Sequence, residues 1–338
     1  MAVSISSRVD HPLLLVLLSD GQLHSGEWLA GQLGVSRAAV WKGVERLRGM
    51  GVEVQALARR GYRLPSPVEL LDAARIGAEI DRSRRRQIRN LELLFDVDST
   101  NTRLLGAPPP PPGSADVCLS ELQHAGRGRR GRRWIAPFGT SVAMSLAWTF
   151  GDAPRTLPAL SLAVGVAVSR ALRRAGADDT NLKWPNDIWF QDRKIGGVLI
   201  ELKAEASGPV HVVIGIGINV ALPPAARREI EAGGVRVAAA ADACAEAPSR
   251  NMLAGAILDE LLGMLGLFER EGFAPFRGAW EALDALRGRP VRVLLSDAVF
   301  SGTAQGVDPE GALRVVTKNG TQRFVSGEAS LRAIEGDT

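Results

Sequence analysis

The chain has 338 residues, 46% of them hydrophobic and 23% charged, with a formal net charge of +4. That length asks for two or three domains, the composition is ordinary for a soluble globular protein, and so mild a basic excess says little about nucleic acid. Two cysteines (Cys118, Cys244) and four scattered histidines argue against a disulfide framework and a zinc site and fit a reducing cytoplasm, and neither a run of about 18 apolar residues nor a signal peptide is found.

The first domain, residues 1–67, reads as helix, helix–turn–helix and hairpin. Leu13–Leu18 predicts a first helix closed by Ser19-Asp20-Gly21. Ser25 and Ser36 are N-cap residues for a second and third helix. Val40, Val44 and Leu47 repeat at helical spacing, so they face a core. Val52–Leu57 alternates like a strand, Arg59-Arg60-Gly61 is a turn, and Tyr62–Leu64 a return strand. This is the winged helix-turn-helix pattern, followed by a Pro65-Ser66-Pro67 linker. Ser36, Arg37, Lys42 and Arg46 on the third helix, with Arg59 and Arg60 in the wing, are the candidate DNA contacts. Trp41 shares their polar face, where a small polar residue is expected, and so bears on which operator is read.

Residues 68–284 alternate strands and helices. Leu91–Val97, Val117–Gln123, Ser141–Trp148, Leu182–Trp184, Ile188–Phe190, Ile195–Leu202 and Val210–Ile218 predict strands, the third with one face buried. Leu157–Ala175 and Met252–Glu271 predict long helices, and Pro108–Pro112 a surface loop. The arginines of residues 82–89 are read as solvated. Residues 285–338 predict short strands turning at Ser296-Asp297, Asp308–Gly311 and Asn319-Gly320, a small β-barrel in size.

The densest stretch is Gly126–Trp134, with five arginines and three glycines in nine residues. It matches the dinucleotide fingerprint in letters only, since Pro137 and Gly139 follow where an apolar helix must begin. A charge run is commonly a solvated face. Here, however, glycines leave backbone N–H groups open to an anion, and arginines bind phosphate oxygens two at a time. Only five lysines occur, and two of them, Lys183 and Lys194, fall in one motif region. A compact ammonium rather than a planar fork is what those positions keep.

Five motifs stand in order: Asp98–Asn101 (DSTN), Gln123–Trp134 (QHAGRGRRGRRW), Lys183–Asp187 (KWPND), Asp192–Glu201 (DRKIGGVLIE) and Gly215–Val220 (GIGINV). Together with the winged helix, they closely resemble the bifunctional biotin–protein ligase and biotin operon repressor family, from about Leu13 to Leu331. The resemblance implies an α+β chain with a winged helix-turn-helix, a class II synthetase-like α/β catalytic domain built on a mixed sheet (68–284), and an SH3-like β-barrel (285–338).

It implies a ligase that joins biotin to ATP, with Mg²⁺, and passes the biotinoyl group to a lysine of the biotin carboxyl carrier protein. It also implies a repressor that binds operator DNA as a homodimer once biotinoyl-5′-AMP is bound. Carried over residue by residue, Ser99, Thr100, Asn101 and Gln123 would meet the ureido ring. Ser99 and Thr100 could equally cap the next helix. Gly126, Arg127, Gly128, Arg129, Arg130 and Arg132 would surround the adenylate. Lys194 would sit at the carboxylate–phosphate junction, and Lys183 and Asp187 would flank the nucleotide. Asp187 is a candidate for Mg²⁺ or for the incoming amine. Gly196 and Gly197 would admit backbone closely, or form a simple turn, and Asn219 would approach the adenylate. Trp134 is either a cover for adenine or a buried loop anchor. Two other readings are a biotin sensor without transfer and a lipoate ligase.

Overall fold

Asp10, Ser25 and Ser36 each accept a hydrogen bond of 3.1 Å from a backbone N–H three residues on. Each thereby satisfies one orphan donor and starts a helix. The three helices are α1 (His11–Leu18), α2 (Gly26–Leu33) and α3 (Arg37–Gly49). The hairpin that follows is β1 (Gln55–Leu57) and β2 (Gly61–Arg63). Tyr62 exchanges backbone hydrogen bonds with His24, a single antiparallel bridge beside the two-stranded wing. Leu14, Leu15, Leu18, Leu29, Val40, Val44 and Leu47 are all buried.

This computed structural model describes residues 10–204, 209–295, 298–325 and 330–333. The first nine residues and the expected turn at Ser296-Asp297 lie outside that range. The chain forms two units, one up to Leu71 together with Pro137–Gly139, and one holding the rest.

In the second unit two short helices, α4 (Ala73–Ala78) and α5 (Arg82–Arg85), precede β3 (Ile88–Val97). Then come α6 (Thr100–Leu105), β4 (Ala115–Gln123), β5 (Ser141–Phe150), α7 (Leu160–Arg174), β6 (Asn181–Lys183), β7 (Asp187–Phe190), β8 (Arg193–Ala204) and β9 (Val210–Asn219). These strands form one mixed sheet in the order β3-β4-β5-β9-β8-β7-β6. Only β3 and β4 run parallel, joined through α6, and the other neighbours are antiparallel. Next are α8 (Pro224–Ala232), α9 (Arg250–Glu271) and α10 (Ala274–Leu283).

A second sheet, β10 (Pro290–Leu294), β11 (Val299–Val307), β12 (Leu313–Thr317), β13 (Gly320–Phe324) and β14 (Ser330–Ala333), is wholly antiparallel in the order β13-β12-β11-β10-β14. It is tied to the first sheet twice. Trp184 Nε1 donates to the Gly311 carbonyl at 3.1 Å, and Arg289 forms a bidentate pair with Asp192 at 2.7 and 3.0 Å.

One expectation changes and two gain detail. All ten residues of β5 are buried, so it is no half-exposed strand. It lies mid-sheet, with α6 over Cys118, Ala147 and Val213 on one face and helices packed on the other. The arginines near α5 stay largely exposed, as expected, but two of them are paired, Arg84 with Asp259 at 2.6 Å and Arg89 with Asp116. Finally, α9 is long and apolar enough to cross a membrane, yet most of it is buried in this unit as a core helix.

Asp284, just past α10, has a buried Oδ2 with no partner, and burial pushes its carboxyl up to about 6. A raised carboxyl makes the folded state bind a proton the unfolded chain has released. This contribution to stability is therefore present below about pH 4 and lost as pH rises through 6. Asp284→Asn should remove that segment of the stability-versus-pH curve, a difference on the order of 2 kcal/mol. Urea unfolding of both proteins from pH 4 to 7.5 measures it.

Candidate active site

The sheet register puts a cavity on the face that α6 covers. Ser145 pairs with Gly215, Gly215 with Leu199, and Gly217 with Gly197. Directly opposed residues share a face, so three of these positions on neighbouring strands carry no side chain. A Cβ on Gly217 would lie 2.6 Å from the Trp134 ring, and one on Gly215 would collide with Asn101 Oδ1. The glycines thus let the arginine loop and α6 come down onto the strands and leave a cavity of about 710 Å³ beside them.

One end of the cavity is neutral and hydrogen-bonding. Thr100 N–H donates to Gln123 Oε1 at 2.9 Å, and Ser145 Oγ lies 2.6 Å from Thr100 Oγ1 and 2.5 Å from Asn101 Oδ1. Asn101 Nδ2 donates to Glu201 Oε2 at 2.8 Å. Ser99 stands at the N-cap of α6, but its hydroxyl makes no capping bond; instead Asp98 Oδ1 accepts from the Ser99 N–H.

The other end is cationic. The arginine loop is a small hairpin, closed by Gly128 N–H to Arg132 O at 2.7 Å and Trp134 N–H to Gly126 O at 2.8 Å. Its tip turns through left-handed backbone at Arg130 and Gly131. Arg127 pairs with Glu201 at 2.7 Å. Arg129 donates to Asn186 Oδ1 at 3.1 Å, while Asn186 Nδ2 is fixed on the Val198 carbonyl at 2.7 Å. Burial lowers the Arg129 guanidinium below its ordinary pKa, with the Asp187 charge opposing. Lys194 Nζ meets Asp187 Oδ1 at 2.6 Å, and Lys183 Nζ stands 4.5 Å from the Trp189 ring centre. Two residues on adjacent antiparallel strands, one on each side of a bulge, make the Lys194–Asp187 contact possible.

Of the expected site residues, Gly126 and Gly196 do not line the cavity; the others do. Gly126 lets the hairpin close, since a Cβ there would be 2.7 Å from Trp134 O. Gly196 is a strand residue rather than a turn, and it admits the Gly217 carbonyl. Trp134 lies on Gly217 as a half-buried anchor whose Nε1 has no partner. Asn219 Nδ2 holds the Ala238 carbonyl at 3.1 Å.

Sequence reasoning missed Ser145, Asn186, Glu201, Gly215 and Gly217, along with the 229–237 segment that bridges to Lys194. Asn186, Glu201 and the two glycines stood inside quoted motifs, so position was visible but role was not. Ser145 and the 229–237 segment carried no signal. Among the described residues no three His, Cys, Asp or Glu side chains gather as a metal site. A single carboxylate at Asp187 is nevertheless a set that suits Mg²⁺ held largely by phosphates.

In the first unit, Arg37, Trp41, Lys42, Glu45 and Arg46 form the exposed side of α3, and Arg59 and Arg60 the exposed wing tip. Trp41 is 54% exposed. Ser36 caps the helix with its hydroxyl.

Residues 94–219 match the biotin/lipoate A/B protein ligase family, 287–332 a biotin protein ligase C-terminal domain, and 8–63 a helix-turn-helix domain. The chain is 39% identical to the bifunctional ligase/repressor BirA of Salmonella typhimurium over 96% of its own length and 98% of that protein. It is 31% identical to the Bacillus subtilis protein of the same name over 91% and 93%. It is similar in structure to the biotin protein ligase of Aquifex aeolicus solved with biotin and ATP, at a TM-score of 0.61, 29% identity, 72% coverage of this chain and 99% of that one. With the cavity, its arginine hairpin and the winged helix all in place, the chain belongs to the biotin protein ligase family, in its bifunctional ligase/repressor form.

Proposed function

We propose that this cavity catalyses ATP-dependent attachment of biotin to a carrier-protein lysine, and that the first unit binds operator DNA. One observation carries the ligase reading. A neutral hydrogen-bonding end and a cationic end share one cavity, with Lys194 at the cationic end. Biotin has the matching polarity, a ureido ring at one end and a carboxylate at the other. A lipoate ligase would place an apolar dithiolane against Thr100 and Gln123, which leaves those buried polar groups unpaired.

The residues position and stabilise; none need act as a covalent nucleophile. The biotin carboxylate attacks the α-phosphate, and pyrophosphate leaves. Arg127, Arg129, Arg130 and Arg132 offset repulsion between the two anions, and Asn186 holds Arg129 in place. The Lys194 ammonium follows negative charge from carboxylate to phosphate. The carrier amine then attacks the carbonyl and AMP leaves. Asp187 orients Lys194 and is placed to accept a proton from that amine. Mg²⁺ bound to the phosphates and to Asp187 would screen their charge. Lys183 and Asn219 flank the nucleotide.

On the DNA side, a single winged helix makes few phosphate contacts, so a homodimer reading two half-sites is the expected binding form. Arg37, Lys42 and Arg46 would contact the groove, and Arg59 and Arg60 the adjoining backbone.

Biotin-dependent exchange of labelled pyrophosphate into ATP tests the ligase reading. Exchange with lipoate and not biotin would overturn it. Lys194→Arg should stay folded and lose exchange by at least a hundredfold, because a planar fork cannot take the point position beside Asp187. Removing residues 1–65 should abolish binding to the promoter of the chain's own biotin genes and leave exchange largely intact. Sedimentation should show dimer rising with biotin plus ATP and not with ATP alone, and DNA affinity should fall steeply with salt.

A further inference from the structure

Ala39, Val40, Gly43, Val44 and Leu47 turn one face of α3 into the core of the first unit. At 3.6 residues per turn the opposite face is centred on Ala38, Trp41, Lys42 and Glu45, all of them exposed. Trp41 is the outlier among these. It is 54% exposed, and its ring has no ring or cation partner among the described residues. Packing within the chain does not account for a tryptophan at this position.

The charges around it suit a polyanion. Arg37 precedes Trp41 by one turn, Lys42 follows it directly, and Arg46 lies one turn beyond Lys42, while Arg59 and Arg60 stand at the wing tip. Between Ser36 and Leu64 the only acids are Glu45 and Glu53. Glu45 is paired with Arg48 at 2.7 Å, and the Arg48 guanidinium is anchored on the Val54 carbonyl at 2.7 and 2.9 Å. A cationic rim around an apolar centre complements a duplex, whose phosphates border the groove and whose base edges form its floor. Trp41 lies in the second turn of α3, close to the end that a helix of this motif lowers onto the bases.

What a tryptophan can read there follows from its chemistry. It offers an apolar ring with one N–H donor and no acceptor. In the major groove thymine alone carries an apolar group, the 5-methyl, and beside it stands the O4 acceptor. Cytosine presents a donor where thymine has O4, and adenine and guanine have no methyl. Ala38, three residues before Trp41, is its neighbour on the helix surface and adds a small apolar contact.

We propose that Trp41, with Ala38 beside it, reads a thymine in each operator half-site through the methyl and O4, while the surrounding cations supply the attraction to phosphate. The proposal rests on the operator-binding reading of the first unit, and it adds the base feature that decides which duplex is bound.

The full chain with biotin and ATP, and the promoter of its own biotin genes, provide the test. Footprinting locates the bound duplex. A copy in which deoxyuridine replaces every thymidine keeps pairing and O4 and loses only the methyls. Wild-type affinity should fall by about fivefold or more on that copy. Trp41→Ala should bind the thymine duplex weakly, and the gap between the two duplexes should close. Its salt dependence should match that of the wild type, since no cation is lost, whereas Lys42→Ala should lower the salt slope by about one and keep the gap. Trp41→Phe keeps an apolar ring without the N–H, so it should keep the gap and bind the thymine duplex less tightly than wild type. Thermal midpoints identify a variant that fails to fold, and the wild-type comparison needs no variant. Equal wild-type affinity for the two duplexes would overturn the proposal, as would a folded Trp41→Ala protein that keeps the gap. Loss of the dimer in Trp41→Ala, by sedimentation with biotin and ATP, would overturn it too, by placing the ring against a second copy of the chain. No binding of the wild type to either duplex would instead remove the operator reading itself.

Discussion

The constraint on which this molecule turns is the pairing of three strands, β5, β9 and β8, in a register that opposes small residues on one face. Gly197, Gly215 and Gly217 fall on that face because side chains alternate with a period of two. A slip of one residue would put Ile216 and Ile218 there instead and fill the cavity. The sheet thus gives up packing at its centre and leaves a cavity there. Its stability comes from the other face, where α9 supplies a long apolar side, and from the pair at 2.8 Å between buried Arg250 and the mostly enclosed Glu121 side chain. Breaking such a pair leaves a charge stranded in low dielectric, which ties the start of α9 to β4 firmly.

Around that floor the charges are arranged so that few stand alone. Arg127 rests on Glu201, Arg129 on Asn186, and Lys194 on Asp187. Each cation has one such side-chain partner. The partial burial that lowers the Arg129 pKa also strengthens its pull on phosphate, since fewer waters compete. The second sheet contributes at a distance. Trp184 Nε1 on the Gly311 carbonyl holds the loop that carries Asn186 and Asp187, and Arg289 on Asp192 holds the turn two residues before Lys194. A loop fixed from both sides loses little further entropy when substrate arrives.

The winged helix follows a different logic. Its core is built from aliphatic side chains of three short helices, with Val35, Val52, Val54 and Leu64 buried beside them, and the capping residues Asp10, Ser25 and Ser36 set where each helix begins. The residues left over on α3 are arginine, lysine, glutamate and one exposed tryptophan. Charge alone gives affinity for any duplex; a large apolar side chain among the charges adds a surface that a groove must match in shape.

Sequence by itself determined much of this protein. Serine caps and 3.6-residue spacing marked the N-terminal helices, because those signals act within one turn of chain. Five ordered motifs marked the lining of the cavity, because its glycines, lysines and arginines cluster in short segments. The helices α4, α5, α8 and α10, the last lying beyond the helix read as final, and the full burial of β5 were not legible, since local composition does not say what packs on a face. Nor were the roles of Ser145, Asn186 and Glu201. Each meets a partner far off in the chain, 44, 57 and 100 residues away. A hydrogen bond has a direction only when both ends are in place, so tertiary structure alone decided which groups in the cavity donate and which accept.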